Sequence, residues 1–254
     1  MTMAYLEVDF KTQNTMRISG VGSFFILLGI LVASLLTSCT TNMKKTNRNN
    51  IDRAFEVEDF NRIVFEGTYS IELTQGNETS FSMSTTDELQ NKVEVWVSNE
   101  VLNVKSNIKN IGSDEIKIYI TFQQLSDVKV RGGAFLKTNG FVELNDFNIE
   151  IEGGASVNMQ VNANKLKAKA AGAVNMQFEG VTDEFNAISE GAGNIDADEL
   201  KAKMVECRVS GVGNASVYAT EVLHAKVEGL GKISYRGNPT LYKKVDGIGV
   251  IYRK

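Results

Sequence analysis

From Val128 to the C-terminus one phrase recurs seven times: an alternating apolar run, a glycine, and two residues later a second small residue. The glycines are Gly132, Gly153, Gly172, Gly191, Gly211, Gly229 and Gly247, so successive copies begin 21, 19, 19, 20, 18 and 18 residues apart. A nearly fixed period of this length marks stacked repeats, each too small to bury its apolar face alone.

Only a period of two keeps the apolar positions of these copies in register, which predicts strands rather than helices. Two residues before each glycine stand Val130, Ile151, Ala170, Ser189, Val209, Val227 and Val245. Four residues after it stand Leu136, Val157, Met176, Ile195, Ala215, Ile233 and Ile251. Between these two columns lies a small one: Ala134, Ala155, Val174, Gly193, Gly213, Gly231 and Gly249, with Val174 its bulkiest member. The intervening residues, among them Lys169, Glu190, Asn194, Arg208 and Lys226, are polar. That alternation belongs to strands with one wet face. A strand that bends sharply, or lets a neighbouring backbone come close, cannot carry a Cβ at the bend, which accounts for the glycines. The expected fold is an all-β, single-stranded parallel β-helix of roughly 18–21 residues per rung. Segments such as Glu179 to Glu184 and Asp198 to Lys203 read as its return turns.

Upstream of the repeats, residues 51–127 are β-rich but less regular. Arg62 to Leu73 obeys the same grammar around Gly67, with Ile63, Phe65, Tyr69, Ile71 and Leu73 on one parity. Lys92 to Ser106 reads as a hairpin turning at Ser98-Asn99-Glu100, Glu115 to Phe122 as a further strand, and Asn107 to Asp114 as a polar loop. Trp96, Phe60, Phe65, Phe81 and Phe122 predict a thick, capped end. A stack needs such a cap because its terminal rung otherwise exposes a sheet edge.

The N-terminus carries a different signal. After Arg17 comes an apolar stretch, Val21 to Leu36, followed at once by Thr37, Ser38 and Cys39. Sixteen residues fall short of the roughly 20 that span a bilayer, and the order basic, apolar, small is that of a secretory signal. Leu36-Thr37-Ser38-Cys39 resembles the lipobox of bacterial lipoproteins, in which cleavage precedes the cysteine and its thiol carries lipid. An ordinary signal peptide or an anchor helix with an incidental Cys39 is the alternative. Met16 offers a second start, giving a compact charged segment directly before the apolar core. The expected organisation is a signal peptide over 1–38, a polar tether over 39–50 and a β-domain over 51–254. Several acyl chains would hold such a protein on a membrane, since each buried methylene contributes about 0.8 kcal/mol. The membrane side stays open. Lipoproteins exported to the surface in some bacterial groups carry acidic residues after the cysteine, whereas this chain has Lys44 and Lys45.

From about Phe55 onward the chain resembles the putative auto-transporter adhesin, head GIN domain family of bacterial envelope proteins. The carriers are VFEGTYSIELTQG (64–76), ISEGAGNIDADELKA (188–202), VSGVGNASVYA (209–219) and VEGLGKISYRGNPTLYKKVDGIG (227–249). The resemblance implies a right-handed β-helix and suggests adhesion, though a fold-level label says little about a ligand.

Composition narrows the function classes. A 254-residue chain with 22 glycines, one proline and 43% hydrophobic residues describes a well-filled chain, and its net charge of -4, without a basic stripe, gives no footprint for nucleic acid. The single histidine, His224, falls off the inward parity and is expected to face solvent. Cys207 falls in the inward column of Ala168, Ala187 and Ala225, as a small apolar filler. With so few ligating residues no metal site and no cofactor is expected. Glu152, Glu190, Glu228 and Asp246, each just before a repeat glycine, and the group Asp196, Asp198 and Glu199 are the candidate carboxylates for hydrolytic or lyase chemistry. Stacked carboxylates about 4.8 Å apart per rung come near glycosidase geometry, but a solvated charged face accounts for them equally. Gly191 to Glu199 weakly resembles a calcium-binding β-solenoid nonapeptide that does not recur here. Asn175, Asn194 and Asn214 read as a structural amide ladder. The sequence therefore points to a lipid-anchored envelope module, non-enzymatic, that binds protein or glycan or serves as structure. A carbohydrate-active enzyme is the alternative.

Overall fold

A computed structural model describes residues 50–108 and 115–254. The predicted signal peptide, Cys39 and nearly all of the tether lie outside the described residues, as does most of the predicted polar loop. The rest is all-β, with one short helix, α1 (Asp87–Gln90). The strands are β1 (Ile51–Phe55), β2 (Arg62–Gln75), β3 (Ser80–Thr85), β4 (Val93–Ser98), β5 (Val101–Ser106), β6 (Lys117–Phe122), β7 (Asp127–Ser189), β8 (Ala192–Val209), β9 (Val212–Val227), β10 (Leu230–Arg236), β11 (Thr240–Val245) and β12 (Ile248–Arg253). They form one large mixed sheet, ordered β1-β3-β6-β2-β7-β8-β9-β10-β12, that does not close on itself.

Within the repeats all pairing between strands is parallel and in the register the glycines predict. Gly67 pairs with Gly132, Gly193 with Gly213, Gly213 with Gly231 and Gly231 with Gly249. The two aliphatic columns flanking the bend contribute to the core. Val130, Ile151, Val209 and Val227 are fully buried on one side of the bend, as are Val157, Ile195 and Ile233 on the other. Gly67 adds an eighth member to the glycine column.

The bend is made in two ways. Gly67, Gly132, Gly153 and Gly172 take φ between +128° and +139°, a region that side chains rarely tolerate. The residue two positions on then carries a side chain inward, and Tyr69, Ala134 and Val174 are buried. At Gly191, Gly211, Gly229 and Gly247 the strand is instead interrupted. There the second glycine comes so close that a Cβ on Gly193 would meet the Val174 carbonyl oxygen at 2.0 Å. Val174 is thus no exception to a small-residue rule. It is the last copy of the first kind of bend.

The segments expected as return turns are themselves paired strands, Glu179 to Thr182 running beside Glu199 to Ala202. The neighbouring copy offers partners to backbone groups that a free turn would leave to water. Differences in copy length are absorbed as register shifts at Gln177/Glu179, Ala197/Lys201 and Ala202/Met204.

At the N-terminal end the far edge of β2 is divided. Parallel β5 covers Arg62 to Glu66 and parallel β6 covers Ser70 to Gln75. Antiparallel β4 lies beyond β5, while β3 and then β1 lie beyond β6. The predicted β4–β5 hairpin turns through Asn99 and Glu100, both at positive φ. Phe60, Phe65, Phe81 and Phe122 fill this end, but Trp96 does not, being 43% exposed on the outer face of β4. Among the described residues nothing comparable covers the C-terminal end, and Val245, an inward residue by its column, is 41% exposed there.

Candidate functional site

Outward residues of successive copies fall into columns as regular as the core, and their chemistry follows from what lies one copy away. The carboxylates preceding the glycines are not paired with one another but interleaved with cations. Arg131 bridges Glu66 at 2.9 Å and Glu152 at 3.5 Å. Lys129 forks between Glu150 and Glu152, each at 2.9 Å, and Lys169 joins Glu150 at 3.5 Å to Glu190 at 3.2 Å. Further along, Glu228 sits between Arg208 and Lys226, and Asp246 lies 2.9 Å from Lys244. Hydrogen bonds from Lys129 hold the carboxyls of Glu150 and Glu152 below their ordinary range, and those from Lys226 and Arg208 do the same for Glu228. A general acid needs the opposite shift.

The second candidate group is tied down as well. Asp198 Oδ2 contacts the Lys254 ammonium, Arg236 Nη1 bonds Glu199 at 2.9 Å, and Asp196 Oδ1 accepts the Asp198 backbone N–H at 3.2 Å. Lys254 Nζ also reaches Ser216 Oγ at 3.1 Å. The asparagines form the predicted ladder: Asn194 Nδ2 donates to Asn175 Oδ1 at 3.2 Å, and Asn214 Nδ2 to Asn194 Oδ1 at 2.9 Å. Cys207 pairs with Ala187 and Ala225 in the inward column, and burial pushes its thiol up to about 12, far from a reactive thiolate. His224 faces outward and stacks on Tyr242 of the next copy, with ring centroids 4.7 Å apart. Among the described residues no three His, Cys, Asp or Glu side chains are placed to share a metal ion.

One concavity stands out on this surface, a groove of about 600 Å3, within the usual size of ligand sites. One wall is the outward column five residues before each glycine: Asp127, Asn148, Lys167, Asn186, Glu206 and His224. The other is the column two residues earlier, including Asp146, Met204 and Val222. Several wall residues already bond along the column. Asn148 Nδ2 donates to Asp127 Oδ1 at 3.1 Å, Asn186 Nδ2 to Glu206 Oε2 at 3.3 Å, and Lys165 pairs with Glu184 at 3.2 Å. Sequence reasoning centred on the columns next to the glycine and passed over this one, save for His224. Counting back five residues from each glycine lists its members, but only the fold shows that the surface is concave there.

Known structures agree with this architecture. A putative adhesin from Bacteroides fragilis superposes with a TM-score of 0.79 at 27% identity, over 82% of this chain and 98% of that one. A putative lipid binding protein from Parabacteroides distasonis gives 0.66 at 22% identity over the same shares, and a putative adhesin from Parabacteroides merdae 0.59 at 23%, over 82% and 97%. None of the curated proteins matches the chain in sequence. The model of one family, described as putative auto-transporter adhesin, head GIN domain, matches residues 59–239. Taken with the in-register glycine columns, this match shows that the chain belongs to the head GIN domain family of putative auto-transporter adhesins.

Proposed function

We propose that this protein is a non-enzymatic binding module of the bacterial cell envelope, a right-handed parallel β-helix held on a membrane by lipid at Cys39 and adhering to protein or glycan. The observation that carries the reading is the state of the outer face. Glu150, Glu152 and Glu228 are held in ion-pair ladders that lower rather than raise their proton affinity, while a groove on the same outer face stays open. Such a surface suits recognition of an extended partner, with the ladders keeping the scaffold rigid. Membership of an adhesin family supports the same reading. Residues 1–38 would act as the signal and 39–50 as the tether, placing the β-domain within reach of whatever lies beside the membrane.

The test is metabolic labelling with an alkyne fatty acid, followed by protease treatment of intact and lysed cells. The wild-type chain is expected to take up label and to fractionate with membranes. Cys39→Ser should lose the label and leave the membrane fraction. An unlabelled wild-type chain would remove the anchoring from this reading. Digestion in intact cells would put the module on the outside, and protection until lysis would put it inside the envelope.

A further inference from the structure

Resting on the reading of the chain as an envelope binding module, we propose that the groove beside the Asp127 to His224 column is the binding site for an extended, uncharged polysaccharide lying along the stack with about one sugar per copy.

Regularity is the first argument. Six consecutive copies each contribute one residue to the same wall, in the order Asp127, Asn148, Lys167, Asn186, Glu206, His224. Stacked strands repeat about every 4.8 Å, so five steps give a site about 24 Å long. A repeating receptor matches a repeating ligand, and the rise of one sugar in an extended polysaccharide is close to the strand spacing. A peptide is not commensurate, since it rises about 3.3 Å per residue. It could not add as a strand either, because parallel neighbours already pair the backbone of this face on both sides.

Chemistry is the second argument. Carboxylate, amide, ammonium and imidazole groups all exchange hydrogen bonds with hydroxyls. Lys167 and Asp146 both line the groove and make no ion pair among the described residues. Met204, exposed, and Val222, half-buried, line the opposite wall and offer apolar surface for the C–H faces of sugar rings.

Charge then selects among polysaccharides. Asp127, Asp146, Glu184 and Glu206 bring four carboxylates against the two ammoniums of Lys165 and Lys167. An acidic polymer such as a polyuronate or a nucleic acid would be repelled.

The experiment uses the full chain in a zwitterionic detergent, which carries no sugar headgroup. It is titrated calorimetrically with cellohexaose, xylohexaose and chitohexaose, with the trimer of each, and with polygalacturonate. At least one neutral hexamer should bind at least tenfold tighter than its trimer, and polygalacturonate should not bind. Asn186→Trp, which fills the groove from an outward position, and the milder Lys167→Ala should each weaken that hexamer at least tenfold with the melting temperature unchanged. Lys232→Ala, three residues beyond a repeat glycine on the other outward face, should bind as wild type. The assignment is overturned if no neutral hexamer binds at millimolar concentration, if Lys167→Ala binds as wild type, or if polygalacturonate binds more tightly. Because Cys39 labelling is read separately, an empty groove would leave the envelope reading standing, and a failed labelling would leave the groove result standing.

Discussion

Two adjacent glycines show how sharply this fold discriminates between positions. A Cβ on Gly153 would lie 2.1 Å from the carbonyl oxygen of Gly132, and its φ of +139° disfavours any side chain. On Gly154 the nearest atom is 4.0 Å away and no such φ applies. Both are exposed, so burial does not separate them; the approach of the neighbouring copy does. Gly153→Ala should destabilise by about 2–3 kcal/mol through strain and overpacking, whereas Gly154→Ala should stay within about 0.5 kcal/mol. Urea melts of the two variants decide it, and equal midpoints would contradict the stacked-glycine register.

At the scale of the strand, charge is organised by copies rather than by neighbours in sequence. Lys129 meets Glu150 and Glu152, which stand one copy further on, and its ammonium is raised from its ordinary 10.5 by those hydrogen bonds. Lys169 is raised by Glu190 in the same way. The carboxyls of Glu150, Glu152 and Glu228 lie below their ordinary 4.5. Depressed carboxyls stabilise the fold fully above their unfolded value, and that contribution is lost as pH falls through the lower folded value. Raised ammoniums contribute fully below 10.5, and theirs is lost as pH rises through the higher folded value. Stability from the ladder should therefore be flat through neutral pH and fall off below about pH 4.5. Lys129→Met should lower the melting temperature slightly at pH 7 and make the acid decline shallower. An acid limb as steep as wild type would show that other carboxylates govern it. Because Lys129 and Glu150 are half-buried but still in contact with solvent, and Glu152 is exposed, added salt should shrink the difference between variant and wild type.

Across the whole molecule the two ends of the sheet are unlike. The N-terminal end is closed by the antiparallel strands β1, β3 and β4, with aromatic filling. The C-terminal end leaves Val245, Ile248, Val250 and Tyr252 exposed. Beyond the pairing of β12 with β10 and the burial of Ile251, that end is held by ion pairs in which Lys254 and Arg236 reach back to Asp198 and Glu199 on β8. Opening should therefore begin at β12, the least-buried end of the sheet, and spread inward. Lys254→Met should speed amide exchange across Ile248–Arg253 about tenfold while leaving β7 protected. Uniform acceleration along the chain would mean that the ends do not open separately.

Much of this was legible before any coordinates. Alternation with a glycine every 18–21 residues determines an all-β chain, its inward columns, the Asn194 ladder and the place of Cys207, because a strand has only two faces and a repeat stacks each residue on its own counterpart. Tertiary structure alone decided what depends on distances between copies. Those distances place the carboxylates before the glycines in ion pairs with cations of the same and neighbouring copies, and place Trp96 on the outside. They divide the glycine bends into two kinds and hollow a groove beside a column that composition does not distinguish. Periodicity carries the parity of a side chain but not the curvature of the sheet beneath it, nor which charge the next copy brings within about 3 Å.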